Sequence, residues 1–376
     1  MRVGYAYSQE MVQACDMFPR IKGRASLCAE LIEAYGLHAQ MWVLEPRELS
    51  IDELSSFHSR DYLETFKKVC ELDDPEKIDK EIAEDCGLGY DCPVEEGLFP
   101  KCALVAGGSI VAAEALVEGQ VDVAINWCGG WHHAKRFNAA GFCYINDIVL
   151  AAQKLREKFE RVLYIDIDLH HGDGVEDAFW STNKVYCMSL HKYSPGFYPG
   201  SGGMEDVGEG KGRHYTLNIP LADGITTEQY MKVFNSALNM VIKEFIPHTI
   251  ICQCGADGLA MDEMDSFNLS SSCYVRCVSQ VLDLKLPTLL LGGGGYHFAN
   301  TARTWASLTA AAIGVALPCD IPSDMESFME YKPDFELMVP AGNRPNMNKD
   351  SDIERILNVV KGSVNMMSAT DEPLDR

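Results

Sequence analysis

A chain of 376 residues, 47% of them hydrophobic, can bury a sizeable core, yet no apolar run reaches the roughly 18 residues that a bilayer span requires. A formal net charge of −23 argues against direct binding of nucleic acid, which needs a basic footprint, and favours basic partners through long-range steering. The N-terminus MRVGYAYSQE has no apolar signal core, and the 14 scattered cysteines lack zinc or disulfide spacing, which predicts reduced thiols in a cytosolic or nuclear setting.

In chain order, apolar runs predict strands at Arg2–Tyr7, Met41–Leu44, Val121–Trp127, Arg161–Asp168, Lys184–Leu190, His214–Ile219, His248–Gln253 and Pro287–Leu291. Helical periodicity falls between them, at Ala25–Tyr35, Ile51–Phe57, Ser59–Cys70, Cys102–Glu118, Asn146–Phe159, Thr227–Phe245, Tyr274–Leu284 and Thr301–Ile313. Strands alternating with helices predict an α/β fold, a mostly parallel eight-stranded sheet flanked by helices in a single domain. Glu71–Gly97 is acid-rich and reads as a loop with a short helix. Pro318–Lys349 reads as a surface wrap, and Ile353–Lys361 as a last helix before a frayed tail.

The stretch RVLYIDIDLHHGDG, Arg161 to Gly174, changes from β-branched apolar residues to Asp and His. In an open α/β sheet that change marks the carboxyl end of a strand, where ligands bind. Asp166, Asp168 and His170 are spaced two apart, so an extended backbone points them to one side. Carboxylate and imidazole donors converging there suit a divalent metal, and so many titratable groups are costly to hold together without one. Turn chemistry alone would not need the paired histidines. Other predicted strands lead into CGGWHHAKR with His132 and His133, HTIICQCGAD with Asp257, and LGGGGY with Tyr296. The glycine run matches neither dinucleotide nor P-loop spacing.

The blocks NWCGGWHHAKR, GFCYIND, DIDLHHGDGVEDAF, SLHKYSPGFYPG, GADGLAMD and LGGGGY follow one another in this order. Through them the chain, from about Tyr7 to Gly362, resembles the class I zinc-dependent histone deacetylases of the arginase/deacetylase superfamily. The resemblance implies the arginase-like deacetylase fold, with a catalytic domain over residues 1–362 and a flexible tail over 363–376. It implies hydrolysis of N6-acetyl-lysine in histones and other proteins, and a chromatin regulator repressing transcription in nucleus and cytoplasm.

By the same resemblance Asp168, His170 and Asp257 hold Zn²⁺, and their oxygen-rich set also tolerates Fe²⁺, Co²⁺ or Mn²⁺. His133 is the general base and later acid, and His132 an electrostatic helper. Asp166 orients His132 and Asp173 orients His133, while Tyr296 hydrogen-bonds the acetyl carbonyl. Phe142 and Tyr198 wall an acetyl-lysine tunnel; Gly141 touches the stem, Trp131 and Gly294 lie deeper, and Met264 sits on the rim. Tyr198 stands where the family usually has Phe. Asp91 takes backbone N–H groups of the substrate peptide.

Structural K⁺ is implied at Asp166, Asp168, His170, Ser189 and Leu190, and again at Phe179, Thr182, Val185 and Tyr215. Hydroxamate-type metal chelators are implied inhibitors. Glu263 and Ala299 replace arginines with which corepressor-bound members bind inositol phosphate, so no obligate corepressor is expected. Ser26 lies in a kinase-like context, GRASL, and Cys92 and Cys143 form a candidate redox pair. Three readings remain beside this one. An arginase-like ureohydrolase would need a second set of Asp ligands. An acetylpolyamine amidohydrolase would share the catalytic core. A non-catalytic acetyl-lysine-binding scaffold would have lost a ligand, His or Tyr.

Overall fold

The computed structural model describes residues 1–72 and 79–370. Residues 73–78 of the expected acidic loop and 371–376 of the expected tail lie outside the described residues. Eight strands form one sheet: β1 (Val3–Ala6), β2 (Trp42–Leu44), β3 (Val123–Asn126), β4 (Val162–Asp166), β5 (Val185–Lys192), β6 (Thr216–Leu221), β7 (Thr249–Gln253) and β8 (Thr288–Leu291). Their order is β2-β1-β3-β8-β7-β4-β5-β6, and every ladder is parallel. Each predicted strand is present.

Both faces of the sheet are covered, so its strands are apolar on both sides. In β4, Leu163 and Ile165 enter one core, packed against the helices Arg24–Ala34, Thr227–Phe245, Ser271–Asp283 and Phe298–Ile313. Val162 and Tyr164 enter the other, against Gln9–Asp16, Arg60–Cys70, Leu98–Val117 and Asp147–Arg156. The period of two along a strand divides the cores.

Two helices were not expected from periodicity, Gln9–Asp16 and Asp173–Phe179. Each is short, at 8 and 7 residues. The first is set by its cap, since Ser8 accepts the Met11 N–H at 3.1 Å. The last helix runs Asp350–Thr370, well past its expected end, with Val364 and Met367 buried against the core. The expected tail is therefore helical as far as Thr370. Leu98–Val117 is apolar and long enough to cross a membrane by length and composition. Here it is a core helix. A Cβ on its Gly107 would lie 1.7 Å from the Arg47 carbonyl oxygen, so the chain passes over this helix in backbone contact.

The four central strands β3, β8, β7 and β4 are neighbours. Their carboxyl ends emit the loops with His132 and His133, Tyr296, Asp257, and Asp168 with His170. Four loops far apart in sequence thus meet on one rim.

One loop is also anchored from behind. His58 is 1% exposed, and its Nε2 accepts the Asn146 N–H at 2.9 Å. Asn146 caps its helix at Val149 (3.0 Å) and donates to the Ala134 carbonyl at 2.8 Å. Burial pushes the His58 imidazole down to about 4. It is neutral in the folded chain but gains a proton near pH 6.5 when unfolded, so stability present above pH 6.5 is lost as pH falls toward 4. In urea titrations, His58→Gln is expected to lose less stability than the wild type between pH 7 and pH 5, by about 2 kcal/mol. An equal acid loss in both would refute this.

Candidate active site

β4 ends at Asp166, and the chain then bends. The Asp168 N–H donates to Asp166 Oδ1 at 3.1 Å, and the His170 N–H to Asp168 Oδ1 at 2.9 Å. Asp168 and His170 therefore converge through two successive side-chain-to-backbone turns. The sequence spacing had suggested an extended strand, and the backbone corrects that.

Asp257 arrives from the loop after β7, and its Oδ1 accepts the Leu169 N–H at 2.9 Å. One donor atom from each of Asp168, His170 and Asp257 lies within 4.8 Å of the others, all three residues being buried. His170 Nδ1 is 2.8 Å from Asp257 Oδ2 and 3.3 Å from Asp168 Oδ1. The neighbouring glycines make the cradle. A Cβ on Gly294 would fall 2.3 Å from Asp257 Oδ2, and one on Gly255 would fall 1.8 Å from Asp168 Oδ2. Two buried carboxylates and one imidazole, closely converged, fit a divalent cation. Among the described residues this is the one such group of three or more donors, whereas a two-metal ureohydrolase needs further ligands.

Beside it lie the two histidines. His132 Nδ1 is 2.8 Å from Asp166 Oδ2, and His133 Nδ1 is 2.7 Å from Asp173 Oδ1. Their Nε2 atoms are 3.1 Å apart. Burial opposes charge on both rings. At His132 the Asp166 and Asp168 carboxylates outweigh it and raise the imidazole to about 9. At His133 burial and the His132 charge prevail over Asp173, lowering it to about 4. His132 is thus the more basic ring of the pair and His133 the less basic. Asp173 sits well below the usual carboxylate range despite its burial, held there by His133 and Lys135. Lys135 reaches its Oδ2 at 3.0 Å.

Trp131, Gly141, Phe142, Gly294 and Tyr296 line a cavity of about 20 Å³ over the paired histidines and His170. Tyr198 stands at its side, the ring edge-on to His133 at 4.9 Å. Phe142 leans on Tyr296 at 6.2 Å. Asp91 lines an adjoining cavity of about 150 Å³ with Trp131 and Phe142. Its Oδ2 already accepts the Gly141 N–H at 2.8 Å, so one oxygen serves the chain itself. Met264 does not line the central cavity; it is half-buried against the core.

Asp166 pairs in register with Ser189, beside Leu190 on β5. Phe179 and Thr182 share a turn, Thr182 N–H to Phe179 carbonyl at 3.1 Å. Val185 opens β5, and the Tyr215 carbonyl accepts the Cys187 N–H at 2.9 Å. Cys92 and Cys143 are adjacent, free and buried, and burial pushes both thiols up. Ser26 is hydrogen-bonded to Asp16 and lies inside a helix that begins at Arg24.

Four supporting residues were not singled out in the sequence. Asp147 is fully buried and accepts the Gly130 N–H (2.9 Å), the Trp131 N–H (2.9 Å) and the Ser109 hydroxyl (2.5 Å). Gln253 Nε2 lies 2.8 Å from Asp168 Oδ2 and 3.3 Å from the Gly130 carbonyl. Asp262 accepts the N–H groups of Tyr296 (2.7 Å) and His297 (3.0 Å). Arg24, 1% exposed, donates to the Gly295 carbonyl at 2.9 Å. The GAD and GGGG blocks lie close to two of them. Asp147 and Asp262 themselves close the blocks GFCYIND and GADGLAMD, but the blocks do not say what those carboxylates hold.

The family model for the histone deacetylase domain matches residues 19–312. Histone deacetylase 8 of Danio rerio is 48% identical over 362 residues, 96% of this chain and 95% of that protein. Histone deacetylase 8 of Xenopus tropicalis is 49% identical over 362 residues, 95% of this chain and 96% of that protein. Histone deacetylase 1 of Homo sapiens is 41% identical over 333 residues, 89% of this chain and 68% of that protein.

Asp147→Ala is expected to leave three buried donors unpaired and to cost about 3 kcal/mol of stability, measured by urea unfolding. Because Trp131 and Gly130 then shift, metal affinity, read by titration calorimetry, is expected to fall with it. A variant as stable as the wild type would remove Asp147 from the framework.

Proposed function

The chain belongs to the histone deacetylase family and is a metal-dependent amide hydrolase of acetylated lysine, and we propose that its site works as follows. Asp168, His170 and Asp257 hold Zn²⁺, with Fe²⁺ or Co²⁺ able to replace it. When bound, the ion supplies Lewis acidity toward the acetyl carbonyl and acidity toward water.

The chain's own groups do the rest. His133 is the general base: it is the neutral member of the pair, and a neutral imidazole has a lone pair to accept a proton. Asp173 fixes its ring and steadies the charge that develops on protonation. The same His133 returns the proton to the departing lysine amine. His132, held charged by Asp166, adds positive potential beside the reacting amide. Tyr296 donates its hydroxyl to the acetyl oxygen as negative charge collects there. Burial and the Asp257 and Asp168 carboxylates push the Tyr296 phenol well above its usual value, so it keeps its proton to donate. Phe142 and Tyr198 bracket the apolar stem of acetyl-lysine, Gly141 permits close approach, Trp131 and Gly294 close the far end, and Met264 borders the rim. Asp91 takes the substrate backbone N–H.

The observation that carries this reading is the metal triad beside two histidines, each with its own carboxylate. The substrates are acetylated histone tails and other acetylated proteins, and a surface of net charge −23 suits basic tails. Hydroxamate-type chelators fit the same oxygen-tolerant site. Glu263 and Ala299 support a stand-alone enzyme with no obligate corepressor. Work on histones places it in the nucleus, and work on other acetylated proteins extends it to the cytoplasm. Structural K⁺ at the two expected sets is part of the proposal. The buried carboxylates of Asp166 and Asp168 support the inner one, since they call for nearby positive charge.

The test is turnover of an acetyl-lysine histone-tail peptide by metal-stripped and Zn²⁺-reloaded protein. Metal is expected to restore activity. Asp257→Ala should lose metal and activity together, and His133→Ala should keep metal but lose turnover. Tyr296→Phe should bind metal normally and lose kcat on the order of 10²–10³-fold. A fully active Tyr296→Phe would refute the oxyanion role.

A further inference from the structure

Arg20 covers the mouth of the cavity above the paired histidines. Its guanidinium lies 5.8 Å from the Phe142 ring centroid and 5.5 Å from that of Tyr296. Its Nη2 is 3.3 Å from Glu263 Oε2. One cation therefore ties together a tunnel wall, the proposed carbonyl donor and an acid on the loop after β7. The cavity beneath it, about 20 Å³, has room for about one water molecule. A lysine stem needs far more, so the lining must shift before acetyl-lysine enters, and Arg20 is its half-exposed, freely rotating member.

Glu263 also has a second aspect. With Glu30 and Glu330 it lines a neighbouring groove of about 590 Å³. The lysine in that groove, Lys22, is paired with Glu95 at 2.8 Å. The groove thus holds three acids at the edge of the tunnel, in a protein of net charge −23. A substrate cation arriving there meets favourable potential and competes with Arg20 for Glu263.

We propose that Arg20 and Glu263 form a charge-operated gate, opened by substrates that carry a cationic residue beside the acetyl-lysine. This rests on the deacetylase reading above and adds the substrate class. The side chains of Arg20 and Glu263 are 46% and 60% exposed. Exposed ion pairs and exposed cation–π contacts are each weak, so the gate biases entry and does not block it. It is also loosened by salt. An acidic neighbour in the substrate is repelled by the groove.

The test compares three acetyl-lysine peptides that differ only in the adjacent residue, Arg, Gly or Glu. They are run on the metal-loaded wild type, Arg20→Gln and Glu263→Gln. The wild type is expected to rank them Arg, Gly, Glu in kcat/KM, with Arg over Gly by roughly three- to tenfold. Arg20→Gln is expected to raise the Gly peptide several-fold, mainly through KM. Glu263→Gln is expected to bring the Arg-to-Gly ratio near one. Added NaCl should speed the Gly peptide in the wild type and leave it unchanged in Arg20→Gln. An unchanged Gly rate in Arg20→Gln overturns the gate. An Arg preference that survives Glu263→Gln, or a Glu peptide as good as the Arg peptide, overturns the selection. A wild type that turns over none of the peptides overturns the deacetylase reading and this proposal with it.

Discussion

The constraint on which the rest of this structure depends is the burial of four carboxylates under one edge of the sheet. Asp166, Asp168 and Asp257 are at most 1% exposed, and Asp173 is 6% exposed. An isolated buried charge is too costly to keep, so each of these acids must be answered. Three kinds of answer occur. Asp166 and Asp173 each take an imidazole. Asp168 and Asp257 both take backbone N–H groups of the loop after β4, from His170 and Leu169, and share the His170 ring. What is left over is negative, and a divalent cation is the compact group that balances it.

The same logic explains why the site is stiff. A loop rich in glycine does not hold a shape by itself. The GGWHH segment is pinned at the Gly130 and Trp131 N–H groups by Asp147, and at the Gly130 carbonyl by Gln253. The GGGGY segment is pinned by Asp262 at its end and by Arg24 at the Gly295 carbonyl. Glycines let the backbone come close to Asp168 and Asp257, and polar side chains from elsewhere then remove the freedom that glycine brings. The turn that carries His58, and Asn146 at the cap of its helix, complete the bracing.

Much of this was readable in the chain. The strands announced themselves because a doubly covered parallel sheet demands runs of apolar, β-branched residues, and Arg161–Asp166 is such a run. The metal donors and both histidines stood at the ends of those runs. The short helices Gln9–Asp16 and Asp173–Phe179 did not, because one or two turns carry too little periodicity to register. Asp147 and Asp262 were not visible as supports, since an Asp that accepts backbone amides looks in sequence like any helix-start or loop acid. Asp91 was assigned to the substrate alone, whereas its contact with Gly141 depends on two loops 50 positions apart meeting in space. The turn geometry at Asp168 and His170 likewise arises from hydrogen bonds that the spacing of residues does not encode.

The contact between His132 and His133 has a consequence for how the site is counted. With their Nε2 atoms 3.1 Å apart, charge on one ring lowers the proton affinity of the other, so the two rings titrate as a coupled pair. Two rings so coupled do not contribute separately. Removing one resets the proton affinity of the other, so their effects on rate are coupled and not additive, although His133 alone moves the proton. The doublet in the sequence is in this sense one functional group with two side chains.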